Sequence, residues 1–396
     1  MIYYRKEFRS VFDLLETMHI HMKKVVDGTA FGSFAPWRSE DPLAAGKPDI
    51  AEHIKQLNIP CLYGDTKPLL LLHESGSFQS DPKLNERLEQ IFSPTRNTFL
   101  VNSSGTGKTR LLYEGLCKSW GLFFTAAVDS YMLGSTDIDV LVQKLPFSRM
   151  FTFPLEDEAD YEYKISTNGE IARREFGQTL LARLLVFKLF VDLMAKGEIE
   201  EVHKSRWFLA QIRPLVFGVN YESLAPELCR SLVSDALLAD CISQCLEDIA
   251  AVFSRKPKDP HFFVVLDEST VMAESLADAF RDAHGPHPVL KEILETWDFH
   301  LRNKPVTIVA AGTHISRMYS REEKWNQWQW ISSIGAFSTI EDQQQYDLKF
   351  LLRAWLILLL VSIFCIVCGY GFAGDIVSLR HSSPQSRMDS RFQIIF

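Results

Sequence analysis

Residues 98–110 read Thr-Phe-Leu-Val-Asn-Ser-Ser-Gly-Thr-Gly-Lys-Thr-Arg: an apolar stretch, a loop of small residues, then Lys108, Thr109 and Arg110. Few short stretches restrict a fold as tightly. A buried strand must enter the loop and a helix must leave it. The small side chains of Ser103, Ser104, Gly105, Thr106 and Gly107 let successive backbone N–H groups turn onto one anion. The positive end of the following helix faces the same point. The stretch therefore reads as a phosphate-binding loop spanning Ser103 to Arg110, with Lys108 reaching the β- and γ-phosphates and the Thr109 hydroxyl ligating Mg2+.

The common spacing is G-x-x-x-x-G-K-S/T, and Asn102 occupies its first glycine position. Asn tolerates left-handed backbone better than other non-glycine residues, so the exchange is mild. Leu111, Leu112, Leu116 and Trp120 recur near helical spacing after the loop, with Gly121 as the predicted stop. An apolar run from Leu122 to Val128, ending at Asp129-Ser130, predicts a second buried strand. The roughly 130 residues beyond it read as mostly helical, Thr179–Lys196 as a largely buried helix with Lys188, Asp192 and Lys196 on one stripe.

His261-Phe-Phe-Val-Val-Leu-Asp-Glu268 is a β-rich run closed by two carboxylates. A buried parallel strand that delivers acids at its C-terminal edge is what a nucleotide site needs beside its loop. Asp267 is the predicted metal ligand and Glu268 the group that polarises the attacking water. A third strand, Pro305–Thr313, ends on Thr313. Together the strands predict an α/β chain with a mostly parallel sheet flanked by helices, and a helical insertion between the loop and the acids. Asn303-Lys304-Pro305-Val306 lacks the Asp of the guanine-reading N-K-x-D pattern, which favours ATP over GTP.

Asn102–Cys117, together with Leu266-Asp-Glu-Ser269 and Ala311-Gly-Thr313, resembles the P-loop ATPase regions of Crinkler-like and related fungal proteins, over residues 95 to 345. That resemblance implies a P-loop NTPase of the additional-strand class (ASCE, STAND-like), with Lys108, Thr109, Asp267 and Glu268 in the family's roles. In ATPases with an extra strand between the two motifs, a sensor of the γ-phosphate sits where Thr313 falls. The cofactors implied are ATP and Mg2+. Two functions compete: ATP hydrolysis with Lys108, Glu268 and Thr313 in catalysis, or a nucleotide-dependent switch that orders a surface for an unknown protein partner with negligible turnover.

The remaining readings are coarser. Predicted divisions are an N-terminal extension (residues 1–94), the NTPase domain (95–345) and a C-terminal segment (346–396). The extension contains a helical stretch near Val11–Val26 and a helix near Ser80–Phe92 capped by Asp81-Pro82. Residues 354–373 carry no charge over twenty positions, enough for a helix of about 30 Å, so the segment reads either as a membrane-spanning tail anchor or as a buried helix or strand pair of a core, followed by a Ser/Arg-rich disordered tail near 381–390. The expected place of the NTPase domain is the cytosol. Seven scattered cysteines fit a reducing compartment, and a net charge of −8 gives no basic footprint for nucleic acid.

Arg110, Arg173, Arg174 and Arg183 are available as arginine fingers, with surface ion pairing the expected role. The acidic run 156–162 reads as a solvated loop. His284/His287 and Cys241/Cys245 lack partners at zinc-site spacing and read as a loop and a helix face. Trp325, Trp328 and Trp330 read as core or interface.

Overall fold

A computed structural model describes residues 9–37, 52–53, 55–62, 68–128, 133–154, 160–215, 217–219, 221, 224–227, 234–254, 261–315, 325 and 327–332. Asp129-Ser130, residues 156–159 of the acidic run, the apolar segment 354–373 and the tail 381–390 lie outside the described residues. No described helix is long and apolar enough to cross a membrane. The chain divides into two compact units, one of residues 1–35 and 69–334, the other of residues 36–68 and 335–396. The second contains the short strand Pro60–Leu62. The first contains the central sheet.

That sheet has five strands: β1 (Thr98–Val101), β2 (Trp120–Thr125), β3 (Phe262–Asp267), β4 (Val306–Gly312) and β5 (Gln329–Ile331). Their spatial order is β2-β3-β4-β1-β5, and every pairing is parallel. The α/β class is therefore observed with a wholly parallel sheet. Strand β4 lies between the strand that enters the loop and the strand that ends in the acids. Parallel strands buried on both faces need apolar residues throughout, and Phe262 to Leu266 are all buried.

Alternation sorts the two faces. Trp120, Leu122 and Phe124 of β2 and Phe262, Val264 and Leu266 of β3 join one core with the helices of the insertion. These helices are α4 (Asp137–Lys144), α5 (Tyr161–Met194), α6 (Val202–Ile212) and α7 (Asp235–Phe253). Trp120 lies 5.2 Å from Phe253 between ring centroids, and Phe262 lies 5.8 Å from Phe187. Phe124 packs at 4.5 Å on Trp297 of a further helix, α9 (Val289–Leu301). On the opposite face Phe123 meets Tyr113 of α3 (Lys108–Lys118), and Phe263 meets Phe92, just past α2 (Pro82–Ile91).

Two sequence readings need correction. Helix α3 ends at Lys118, and Trp120 and Gly121 begin β2, in register with Phe262 and Phe263. Gly121 is required by close packing, because a Cβ there would lie 2.4 Å from the Phe263 carbonyl oxygen. Gly121→Ala is therefore expected to lower the thermal unfolding midpoint, by the equivalent of about 1–3 kcal/mol of overpacking. The second correction concerns length. The helix expected over Thr179–Lys196 is the C-terminal half of α5, a single helix of 34 residues. Its Lys188–Asp192 pair forms at 2.5 Å.

Other expectations hold. The Asp81 carboxylate accepts hydrogen bonds from the N–H groups of Lys83 and Leu84, capping α2 as predicted. The N-terminal helix α1 spans Arg9–Val26. Trp325 and Trp328 are buried, with Trp328 stacked 4.4 Å from Phe99. The outer edge of β2 is protected by α6: Gln211 accepts from the Phe123 N–H, and Trp207 donates to the Gly121 carbonyl at 2.7 Å. These contacts occupy part of the open ladder on that edge.

Candidate functional site

Because β1, β3 and β4 run parallel, their C-terminal ends meet at one edge of the sheet. The loop 102–107 leaves β1 there and enters α3. Gly105 and Gly107 adopt φ of +77° and +84°. A Cβ on Gly107 would meet nothing within 4 Å, so its backbone conformation, and not crowding, calls for glycine. Gly107 also caps α3 without any side-chain acceptor for the first-turn N–H groups. Uncapped N–H donors at a helix start form an anion-binding end.

Lys108 is buried, and its Nζ donates to the carbonyls of Asn102 at 2.8 Å and Ser103 at 2.9 Å. Burial lowers its pKa, opposed by the charges of Asp267 and Glu268. The Thr106 hydroxyl donates to the Ser103 carbonyl at 2.8 Å, tying the loop across its base. Ser103 and Ser104 are exposed. Asn102 departs from its expected role, since its φ is not left-handed. Its carboxamide oxygen accepts from the Ser103 N–H at 2.8 Å while its Nδ2 donates to the Ser332 carbonyl at 2.6 Å. The residue in the glycine position links the loop to the chain leaving β5.

Asp267 closes β3 and is only 3% exposed. Its carboxylate accepts from the Glu268 N–H at 2.9 Å. Burial, and next the charge of Glu268, push its pKa from the ordinary 3.8 up to about 6, against the pull of Thr109 and Lys108. Glu268 is exposed, with φ of 53° and ψ of 32°, and precedes the short helix α8 (Ser269–Glu274). Left-handed backbone at a non-glycine residue stores strain of about 1–3 kcal/mol, and such residues cluster at functional sites.

The raised Asp267 pKa has a stability consequence. Between about pH 4 and pH 6 the folded chain holds a proton that the unfolded chain has lost, so stability falls as pH rises through that window. The full cost, about 3 kcal/mol at two pKa units, is present above pH 6. Asp267→Asn is expected to raise the thermal midpoint at pH 7 but not at pH 4, in melts without metal or nucleotide. An equal shift at both pH values would refute the assignment.

At the end of β4, the Thr313 and Thr270 hydroxyl oxygens lie 3.2 Å apart. Thr270 Oγ1 also accepts from the N–H groups of Thr313 at 2.8 Å and His314 at 3.1 Å. Thr270 is a site residue that sequence reasoning missed. Only the fold brings α8 against the end of β4.

The Arg110 side chain departs from the phosphate set to which the sequence assigned it. Its guanidinium donates to the carbonyls of Leu71 at 3.0 Å and Glu74 at 3.1 Å, and pairs with Glu114 at 2.7 Å. Buried Glu114 accepts in turn from the N–H groups of Gly76 and Phe78. The pair clamps residues 71–78 onto α3. Arg173 faces Glu292 at 3.7 Å and Arg174 faces Asp235 at 3.1 Å. Arg183, expected in a surface pair, is instead wholly buried against Asp137.

The remaining candidates carry no site. His284 and His287 belong to a hairpin of Phe280–Asp282 and Gly285–His287. Cys241 and Cys245 lie on α7, and burial raises the pKa of both thiols. Asn303-Lys304 forms a turn at the start of β4, the sheet edge opposite the loop. Among the described residues, no group of three or more His, Cys, Asp or Glu could hold a metal ion. Thr109 with Asp267 supplies two oxygen donors, a number suited to Mg2+, which keeps waters and substrate phosphates in its shell. No protein-family profile, curated protein or solved structure matches the chain.

Proposed function

We propose that this chain binds ATP with Mg2+ at the loop 102–109 and hydrolyses it by attack of water on the γ-phosphate. One observation carries the reading: Lys108 and Thr109 of the loop both act on the buried Asp267 carboxylate, joining two motifs far apart in sequence. The position of β4 between β1 and β3 supports the additional-strand class that the sequence resemblance implies. The residues fit the metal, because a buried carboxylate beside Glu268 gains from a cation.

Thr109 and Asp267 would hold Mg2+, and when bound the metal neutralises charge on the phosphate oxygens. The loop N–H groups and Lys108 would donate to the β- and γ-phosphates. Glu268, exposed beside Asp267, would orient the attacking water and accept its proton. Thr313 would donate to a γ-phosphate oxygen at the end of the intervening strand. The products are ADP and inorganic phosphate.

The test is ATP binding to the full chain, wild type and Lys108→Ala side by side. Loss of charge-assisted hydrogen bonds is expected to weaken binding roughly 10- to 100-fold. Equal affinities, or no binding by the wild type, would refute the reading. A second reading, a nucleotide switch with negligible turnover, is favoured by the contacts of Arg110, Arg173, Arg174 and Arg183, none of which ties a guanidinium to the loop. Single-turnover hydrolysis separates the two, because a switch binds ATP without releasing phosphate.

A further inference from the structure

We propose that Thr270 is a positioning residue that sets the Thr313 hydroxyl as a proton donor toward the γ-phosphate, an inference that rests on the ATPase reading above. A threonine hydroxyl has one proton and two acceptor lone pairs. Thr270 Oγ1 already accepts two backbone N–H groups, from Thr313 at 2.8 Å and His314 at 3.1 Å. Both lone pairs are then engaged. Its contact with Thr313 Oγ1 at 3.2 Å must use the Thr270 proton. Thr313 accepts that proton, which leaves its own proton as the donor at the sheet edge.

The packing keeps this direction. Gly312 sits directly before Thr313, and a Cβ there would lie 2.7 Å from Thr270 Oγ1 and 3.1 Å from the Thr270 nitrogen. Glycine at 312 is what allows α8 to approach the end of β4. The Ser269 hydroxyl donates to the Leu266 carbonyl at 3.0 Å, fixing the start of α8 to β3. Thr270 thus connects the strand that ends in the acids to the terminus of the intervening strand. A donor whose orientation is set before the reaction needs no reorganisation as charge develops on the phosphoryl oxygens.

The experiment measures ATP affinity and phosphate release by the full chain for wild type, Thr270→Val, Thr270→Ser, Thr313→Val and the double variant Thr270→Val/Thr313→Val. Thr270→Val is expected to lower kcat at least about tenfold with ATP affinity kept within about twofold. Thr270→Ser, which keeps the hydroxyl, is expected to restore kcat. In the Thr313→Val background, Thr270→Val is expected to have no further effect, because the two act as one unit.

A wild-type kcat in Thr270→Val, or an equal loss in both backgrounds, would overturn the inference while leaving the ATPase reading intact. No phosphate release by the wild type would overturn both. Should Thr270→Val fail to fold, Thr270→Cys keeps a similar side chain with a weak donor and acceptor. It must also lose kcat, and full activity there overturns the inference.

Discussion

Glu268→Gln is expected to bind ATP as tightly as the wild type and to release phosphate about a hundredfold to ten-thousandfold more slowly, the range for removing one positioned general base. Its exposed place at the sheet edge, in left-handed backbone next to buried Asp267, supports this division of labour. The electrostatics sharpen the expectation. The Glu268 charge is the second cause, after burial, of the raised Asp267 pKa. Removing that charge lets Asp267 ionise more readily but also takes one negative charge from beside the metal position, so the Mg2+ dependence of ATP binding is measured alongside turnover. Equilibrium ATP binding and single-turnover phosphate release check the two halves. Unchanged turnover would take Glu268 out of the reaction.

Arg183→Leu is expected to destabilise the fold by about 3–5 kcal/mol, the cost of leaving one member of a buried ion pair alone. Arg183 Nε and Nη2 each lie 2.8 Å from the Asp137 carboxylate, Nη2 also donates to the Ser135 hydroxyl, and the guanidinium rests 3.6 Å from the Tyr221 ring centroid. Phe124 of β2 lies beneath it at 4.7 Å. The network joins the start of α4 to α5 and to the sheet. Because two buried charges often do no better than apolar residues of similar volume, Arg183→Leu/Asp137→Leu is expected to recover much of the loss. Urea unfolding of wild type, Arg183→Leu, Asp137→Leu and the double variant checks this, and an Arg183→Leu stability within about 1 kcal/mol of wild type would refute it.

The readable features of this chain were those whose chemistry is local. The loop 102–109 is one contiguous stretch, and the Asp81 cap lies within three residues of the N–H groups it serves. Strands β3 and β4 are long apolar runs with polar ends, so periodicity found them. Strand β5 is three residues long, Gln329–Ile331, and its one tryptophan, Trp330, reads as core without reading as a strand. Trp120 was counted into α3 because its apolar character suits either period. The full extent of α5 was hidden by Gly169 and Gly177, helix-weakening residues here buried inside the helix. Thr270 with Thr313, Asn102 with Ser332, and Arg110 with residues 71–78 are contacts between distant stretches, set by tertiary packing that no local pattern encodes.

Strand order also places this fold in time. Strand β1 pairs with nothing near it in sequence: Thr98 is in register with Val309 on one side and Gln329 on the other. During synthesis the loop that follows β1 emerges well before either neighbouring strand. Pairings this distant form slowly, since the intervening chain must first be closed into a large loop. The helical insertion can fold while β1 waits, and the strands that hold the loop on both sides follow it.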